Sequence, residues 1–264
     1  MLRRDFLKSL LVAAAFLAPV SVAGRAYADV PVVAAAADLQ FALEELAQSF
    51  HQETGQEVKL TFGSSGTFAT QIRGGAPFQM YLSADEDYVA ALHAEGLTRD
   101  AGVLYAIGRI ALVAPLGSPL AVDEEMKGLA ARLAAGQVKH FAIANPEHAP
   151  YGRRAQEALK HAGLWDAVRP ALVLGENVSQ AAQFATSGSA EGGIIALSLA
   201  RSPQVAGSVS CAVIPAEWHT PLRQRMVLLK NSGATAQAFF TYMQQPAARA
   251  VLRRYGFEMP GEAD

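Results

Sequence analysis

The sequence predicts an α/β fold with largely parallel sheets. Apolar runs of strand length alternate with segments of helical period along the chain. Glycine-, serine- or proline-bearing turns punctuate several strand-to-helix junctions. No repeat of fixed period and no low-complexity segment interrupts the alternation.

In order, Pro31–Ala36 reads as a short strand. Asp38 to Thr54 reads as a helix, with Leu39, Ala42, Leu43, Leu46, Ala47 and Phe50 on one face. Asp38 is expected to cap its N-terminus and Gly55 its C-terminus. Strands follow at Glu57–Phe62 and Gln79–Ser83, separated by a helix bearing Phe68, Gln71 and Ile72. A helix is expected over Glu86–Glu95, then one long apolar strand over Leu104–Ala114. Pro115-Leu116-Gly117-Ser118-Pro119 after it reads as a crossing between lobes. Further helices are expected near Glu124–Ala134, Tyr151–Ala162, Ser179–Thr186 and Thr235–Met243. The strands between them are His140–Ile143, Ala171–Leu174, Gly193–Leu197 and Ser210–Ile214.

Residues 1–28 carry an address. Arg3-Arg4-Asp5-Phe6-Leu7-Lys8 precedes an apolar run from Leu10 to Val20, and Ala26-Tyr27-Ala28 fits signal peptidase. This pattern predicts a twin-arginine export signal and a periplasmic protein starting at Asp29. The alternative is a general secretory signal with two arginines. The run is too short for a membrane span, and no cysteine near the cleavage site offers a lipid anchor. Removing this leader takes away four basic residues and one acidic residue, which moves the formal net charge from −2 to −5. An acidic chain argues against nucleic acid as partner. Attraction for an anion would then have to come from local dipoles.

Four strand-to-helix junctions offer such dipoles. Thr61-Phe62-Gly63-Ser64-Ser65-Gly66-Thr67 runs from a strand through a Gly/Ser loop into a helix. Ala35-Ala36-Ala37-Asp38-Leu39 is a close-packing turn. Asn145-Pro146-Glu147-His148-Ala149-Pro150-Tyr151-Gly152 is stiffened by two prolines. Gly175-Glu176-Asn177-Val178-Ser179 precedes an amphipathic helix. Each presents main-chain N–H groups without intrahelical partners at the positive end of a helix dipole, which suits an anion. In open α/β sheets ligands sit at such strand ends.

These segments, together with Ala34–Phe50, Phe62–Ala84, Ala144–Leu159, Glu176–Phe184 and Tyr255-Gly256-Phe257, resemble the periplasmic molybdate-binding proteins of ABC transporters. The resemblance spans almost the whole mature chain. It implies a type II periplasmic binding protein fold, with two α/β lobes and a ligand cleft between them. Lobe I would comprise residues 29–110 plus 222–264 and lobe II residues 111–221. The cleft would hold molybdate or tungstate through Ala37, Asp38 and Ser65 of one lobe and the N–H groups of Tyr151 and Val178 of the other. Tyr151→Phe would then change little. The resemblance implies an inner-membrane ABC permease as partner, a monomer, no membrane insertion, no cofactor and no catalysis. Two departures stand out: Asp38 replaces the serine or asparagine of many relatives, and Ala196 a tyrosine of some.

Asp38 admits two readings. It caps its own helix and turns away, or it accepts a proton from a protonated ligand, which would favour phosphate-like anions. Sulfate, chromate and vanadate are further alternatives. Arg153 and Arg154 read as a solvated helix face or as partners of Glu157, with a positive field at the cleft mouth as the other reading. His148 reads as a loop-stabilising hydrogen bonder. The six histidines lack metal-ligand spacing. Cys211, the single cysteine, is expected to be buried in a strand. An exported serine hydrolase built on Ser65, His148 and an aspartate is the enzymatic alternative, although Gly63-Ser64-Ser65-Gly66 is not the nucleophile-elbow pattern.

Overall fold

The computed structural model describes residues 30–261, so the leader and Asp29 lie outside the described residues. The elements are β1 (Val32–Ala36), a 3-10 turn (Ala37–Leu39), α1 (Gln40–Thr54), β2 (Lys59–Gly63), α2 (Ser65–Arg73), β3 (Phe78–Ser83), α3 (Glu86–Ala94), β4 (Val103–Gly108) and β5 (Ile110–Pro115). Then come α4 (Lys127–Ala134), β6 (Phe141–Ala144), α5 (Pro150–His161), α6 (Trp165–Val168), a 3-10 turn (Arg169–Ala171), β7 (Leu172–Gly175), α7 (Val178–Thr186), β8 (Gly192–Ala196), α8 (Leu197–Ala200) and β9 (Val209–Val213). A 3-10 turn (Ala216–Trp218), β10 (Leu222–Leu228), α9 (Ala234–Tyr242) and α10 (Pro246–Arg254) complete the chain.

The strands form two five-stranded sheets, ordered β2-β1-β3-β10-β4 and β7-β6-β8-β5-β9. Each sheet is mixed. β1 runs parallel to β2 and β3, and β6 parallel to β7 and β8. β10 is antiparallel to β3 and β4, and β5 to β8 and β9. The expectation of largely parallel sheets therefore holds for half of each sheet. Central strands such as β1 are buried on both faces, which explains their unbroken apolar runs.

Two expectations about the crossing are corrected. Leu104–Ala114 is not one strand: it is β4 and β5, in different sheets, parted at Arg109. Arg109 holds the break by pairing with Glu258 at 2.6 Å and donating to the Ile214 carbonyl at 3.0 Å. Pro115–Pro119 is a turn of the second lobe rather than a crossing. The chain crosses back between β9 and β10.

The interior follows the sheets. Leu43, Leu46 and Phe50 of α1 pack with Met80, Phe239 and Leu252 on one face of the first sheet, while Phe68, Ile72, Phe78 and Leu92 fill the other. The second lobe has its own core of Ile110, Leu112, Phe141, Ile143 and Ile195, and Ala36, Ala37 and Ala84 of the first lobe pack into it. Small side chains at the turns let the lobes approach closely. Cys211 corrects the expectation of burial: it is exposed on β9, the edge strand of its sheet.

A seat of helix starts between the lobes

A small cavity of about 10 Å³ lies where the two lobes meet. Ala36, Ala37, Asp38, Gly63, Ser64, Ser65 and Ala84 line it from the first lobe, and Ala149, Pro150, Tyr151, Asn177 and Val178 from the second. All five residues expected from the sequence are in its wall: Ala37, Asp38, Ser65, Tyr151 and Val178. No lysine, arginine or histidine lines it.

Each wall residue is placed by local chemistry. Ser64 caps α2, its hydroxyl accepting from Thr67 N–H, so Ser65 is the first helical residue. Ser65 Oγ accepts from Ala84 N–H at 3.0 Å, and Tyr81 Oη donates to the Ser65 carbonyl at 2.8 Å. With its acceptor side engaged, the Ser65 hydroxyl keeps a proton to donate. Pro150 opens α5, as its missing N–H and fixed φ favour, and Tyr151 follows. Asn177 caps α7, accepting from Gln180 N–H, and Val178 is its first residue. Helix geometry leaves the N–H groups of Ser65, Tyr151 and Val178 without intrahelical carbonyls. Three positive helix ends, two of them from the second lobe, therefore face one space.

The cleft is closed. Ser64 Oγ donates to the His148 carbonyl at 2.7 Å, and Gly66 N–H donates to the same oxygen at 3.0 Å. Ser198 Oγ donates to the Asp38 carbonyl at 2.7 Å. Ser179 Oγ lies 2.9 Å from both the Ala37 carbonyl and Gln40 Oε1. Arg153 reaches Asp85 at 3.1 Å and Tyr88 at 3.2 Å. Arg154 reaches Asp85 at 3.4 Å as well as pairing with Glu157. The two arginines thus strap the lobes together beside the cavity, and Arg154 is buried rather than on a solvated face. Gly66 permits this approach: a Cβ there would sit 2.6 Å from the His148 carbonyl oxygen and 2.8 Å from Tyr88 Oη.

Asp38 departs from the capping expectation. It sits inside the 3-10 turn, makes no side-chain cap, and is buried. Its Oδ2 accepts from Tyr151 Oη at 2.9 Å and from Gln224 Nε2 at 2.6 Å. Tyr105 Oη donates to Gln224 Oε1 at 2.6 Å and so orients that amide. Tyr151 O–H from the other lobe and Gln224 N–H from β10 of the same lobe outcompete the local helix N–H groups for this carboxylate. Asp38 Oδ1 has no hydrogen-bond partner. Burial pushes the carboxyl up to about 6, against the hydrogen bonds from Gln224, Tyr151 and its own amide. Tyr151 thus contributes its hydroxyl to Asp38 as well as its backbone to the cavity wall. Gln224 was missed from the sequence because β10 itself was missed, and Tyr105, although on an expected strand, because its partner is Gln224. The available signal was alternation: Leu222, Gln224, Met226 and Leu228 share the buried face of that strand.

The His148 ring bonds across the cleft rather than within its own loop: its Nδ1 lies 2.9 Å from Ser64 Oγ, not from Ser65. Its Nε2 is 3.6 Å from Glu176. Ser64, His148 and Glu176 thus have the order of a nucleophilic triad, but the Ser64 proton is directed to a backbone carbonyl and its oxygen caps a helix. Among the described residues no group of three histidine, cysteine, aspartate or glutamate side chains could hold a metal ion. No described helix is long and apolar enough to cross a membrane.

Comparison with known proteins agrees with this construction. The chain is 35% identical over 228 residues to the molybdate-binding protein ModA of Azotobacter vinelandii, covering 85% of this chain and 88% of that protein. It is 28% identical over 229 residues to the putative ABC transporter substrate-binding lipoprotein YvgL of Bacillus subtilis, covering 85% of each. The solved periplasmic molybdate-binding protein of Azotobacter vinelandii superposes with a TM-score of 0.79 at 32% identity, over 87% of this chain and 99% of that one. Residues 31–258 match the model of the bacterial extracellular solute-binding protein family. With relatives of this identity along nearly its whole length and two lobes closed over a donor-lined cavity, the chain belongs to the bacterial extracellular solute-binding proteins.

Proposed function

We propose that this protein captures molybdate or tungstate in the periplasm and delivers it, as a monomer, to an inner-membrane ABC importer. The observation that carries the reading is the convergence of three helix starts and the Ser65 hydroxyl on a small cavity whose wall lacks a basic side chain. The ligand contacts are the Ala37/Asp38 turn, Ser65, and the N–H groups of Tyr151 and Val178. A hydrogen bond to a charged group contributes about 1.5–3 kcal/mol net. Five to seven such bonds would give roughly 8–20 kcal/mol, a range that includes sub-micromolar affinity. Neutral donors hold the anion without an ion pair, and no cofactor takes part. The relatives named as molybdate-binding proteins favour molybdate over other tetrahedral anions. Export by the twin-arginine route completes the reading, supported by Arg3, Arg4 and the apolar run that follows them.

The two crossings, β4 to β5 and β9 to β10, serve as the hinge on which the lobes close. The closed face is the surface presented to the permease. A melting scan against molybdate, tungstate, sulfate and phosphate tests the assignment. At a hundredfold excess over Kd a bound anion adds about 2.7 kcal/mol. For a chain of this size that raises Tm by roughly 5–10 °C. A rise with molybdate and tungstate supports the reading, and no rise with either removes it.

A further inference from the structure

Asp38 poses a physical problem that the oxyanion reading does not solve. A carboxylate in the wall of an anion cavity repels the ligand it helps to enclose. Among the described residues no cationic side chain pairs with it. Among the groups that bond the carboxylate are Tyr151 from α5 and Gln224 from β10, with Tyr105 of β4 behind Gln224. α7 and α8 bring the neutral Ser179 and Ser198 to its turn. Burial holds the Tyr151 and Tyr105 phenols far above their ordinary range, so both remain neutral donors. The two side-chain donors to the carboxylate meet on Oδ2, and Oδ1 is buried without a partner. Gly108 makes room for the cluster, since a Cβ there would lie 2.3 Å from Tyr151 Oη and 2.7 Å from Gln224 Nε2.

We infer that Asp38 is a proton-linked specificity residue: closing the cleft on a fully deprotonated oxyanion takes up one proton from solvent, which resides on Asp38 Oδ1. No bond of the anion forms or breaks. The proton turns Oδ1 from an unpartnered acceptor into an O–H donor, and it removes the like charge beside the ligand. Oδ2 keeps its two donors in both states. The inference rests on the oxyanion-binding reading and adds a proton to it. In the closed cleft burial already pushes the carboxyl up to about 6, and a bound dianion raises it further by like-charge repulsion. Between the free and bound values each pH unit therefore weakens binding about tenfold, and below the free value affinity is flat.

The test is calorimetric titration of the mature protein with sodium molybdate, and in parallel with sodium sulfate, from about pH 6 to about pH 9, in buffers of different ionisation enthalpy. Both anions are fully deprotonated over that range, so proton uptake reports the protein. The expected result is uptake approaching one proton per anion and a fall in molybdate affinity toward tenfold per pH unit. Asp38→Asn places an amide donor at this position without a charge. It should bind with no proton uptake, a flat pH profile, and higher affinity than the parent at alkaline pH. Molybdate binding with a flat profile in the parent overturns the proton-linked role while leaving the oxyanion reading intact. An Asp38→Asn protein that keeps the parent's proton uptake and falling pH profile places the proton elsewhere and also overturns it. A folded parent that binds neither anion at any pH overturns the oxyanion reading and this inference together.

Discussion

The two lobes share one strand plan yet furnish the cleft differently. The order β2-β1-β3-β10-β4 is matched by β7-β6-β8-β5-β9, with the antiparallel strand in each next to the outermost position. In the second lobe the strands β6 and β7 lead into α5 and α7, whose N-termini offer Tyr151 and Val178 amides. Such donors are fixed by backbone geometry and do not titrate. In the first lobe, β2 leads into α2 and offers a hydroxyl at Ser65, while β1 leads into a 3-10 turn that offers a carboxyl. The second lobe is thus a rigid neutral donor set. The first lobe carries the groups whose character side-chain chemistry can change.

Several substitutions break or sharpen this contrast. The largest effect is expected from Gly66→Ala, which forces the lobes apart at the His148 carbonyl. A cleft that cannot close loses the two second-lobe amides, about 3–6 kcal/mol, or roughly a hundredfold or more in affinity. Small-angle scattering with ligand would show whether the open form persists. Next, Val178→Pro removes one N–H at a first-turn position that proline favours, after Asn177 in the extended conformation proline requires. Ser65→Ala removes the hydroxyl from the other lobe. Each should weaken molybdate binding by about 1.5–3 kcal/mol with Tm of the free protein little changed for the proline variant. Unequal losses, measured by titration, would say which lobe dominates.

Asp38 should also shape stability. Its folded value near 6 lies above the ordinary 3.8. The stabilising contribution of the protonated form is therefore complete below about pH 4 and is lost as pH rises through 6. On the order of 2–3 kcal/mol is at stake. Asp38→Asn should melt roughly 5–10 °C higher than the parent at pH 8 and similarly to it at pH 4. The smallest effect is expected from Tyr151→Phe, which leaves Oδ2 with Gln224 alone. It should lower stability by about 1–2 kcal/mol while the Tyr151 amide continues to serve the ligand.

Much of this arrangement is legible in the sequence because it lies at punctuated junctions. The loop Gly63-Ser64-Ser65-Gly66, the two prolines around His148 and the Asn177 cap mark three helix starts, and all three line the cavity. What escaped detection lacks such marks. The apolar stretch Leu104–Ala114 carries one glycine and one arginine at its break, so its division between two sheets depends on distant partners, Glu258 and Ile214. Strand β10 reads Leu222-Arg223-Gln224-Arg225-Met226, with polar residues on both faces, because Gln224 faces a buried polar cluster. Asp38 was found at the correct place with an incomplete role, since its partners Tyr151 and Gln224 lie 113 and 186 residues away in sequence. Pairings of that separation leave no local pattern.

The neutral seat is tested most directly by a crystal structure of the mature protein grown with molybdate. The account predicts a tetrahedral anion in the interlobe cavity, contacted by Ser65 Oγ and by the N–H groups of Tyr151 and Val178, with no lysine or arginine touching it. An anion held by basic side chains, or a closed cleft occupied by an organic molecule in its place, would contradict it.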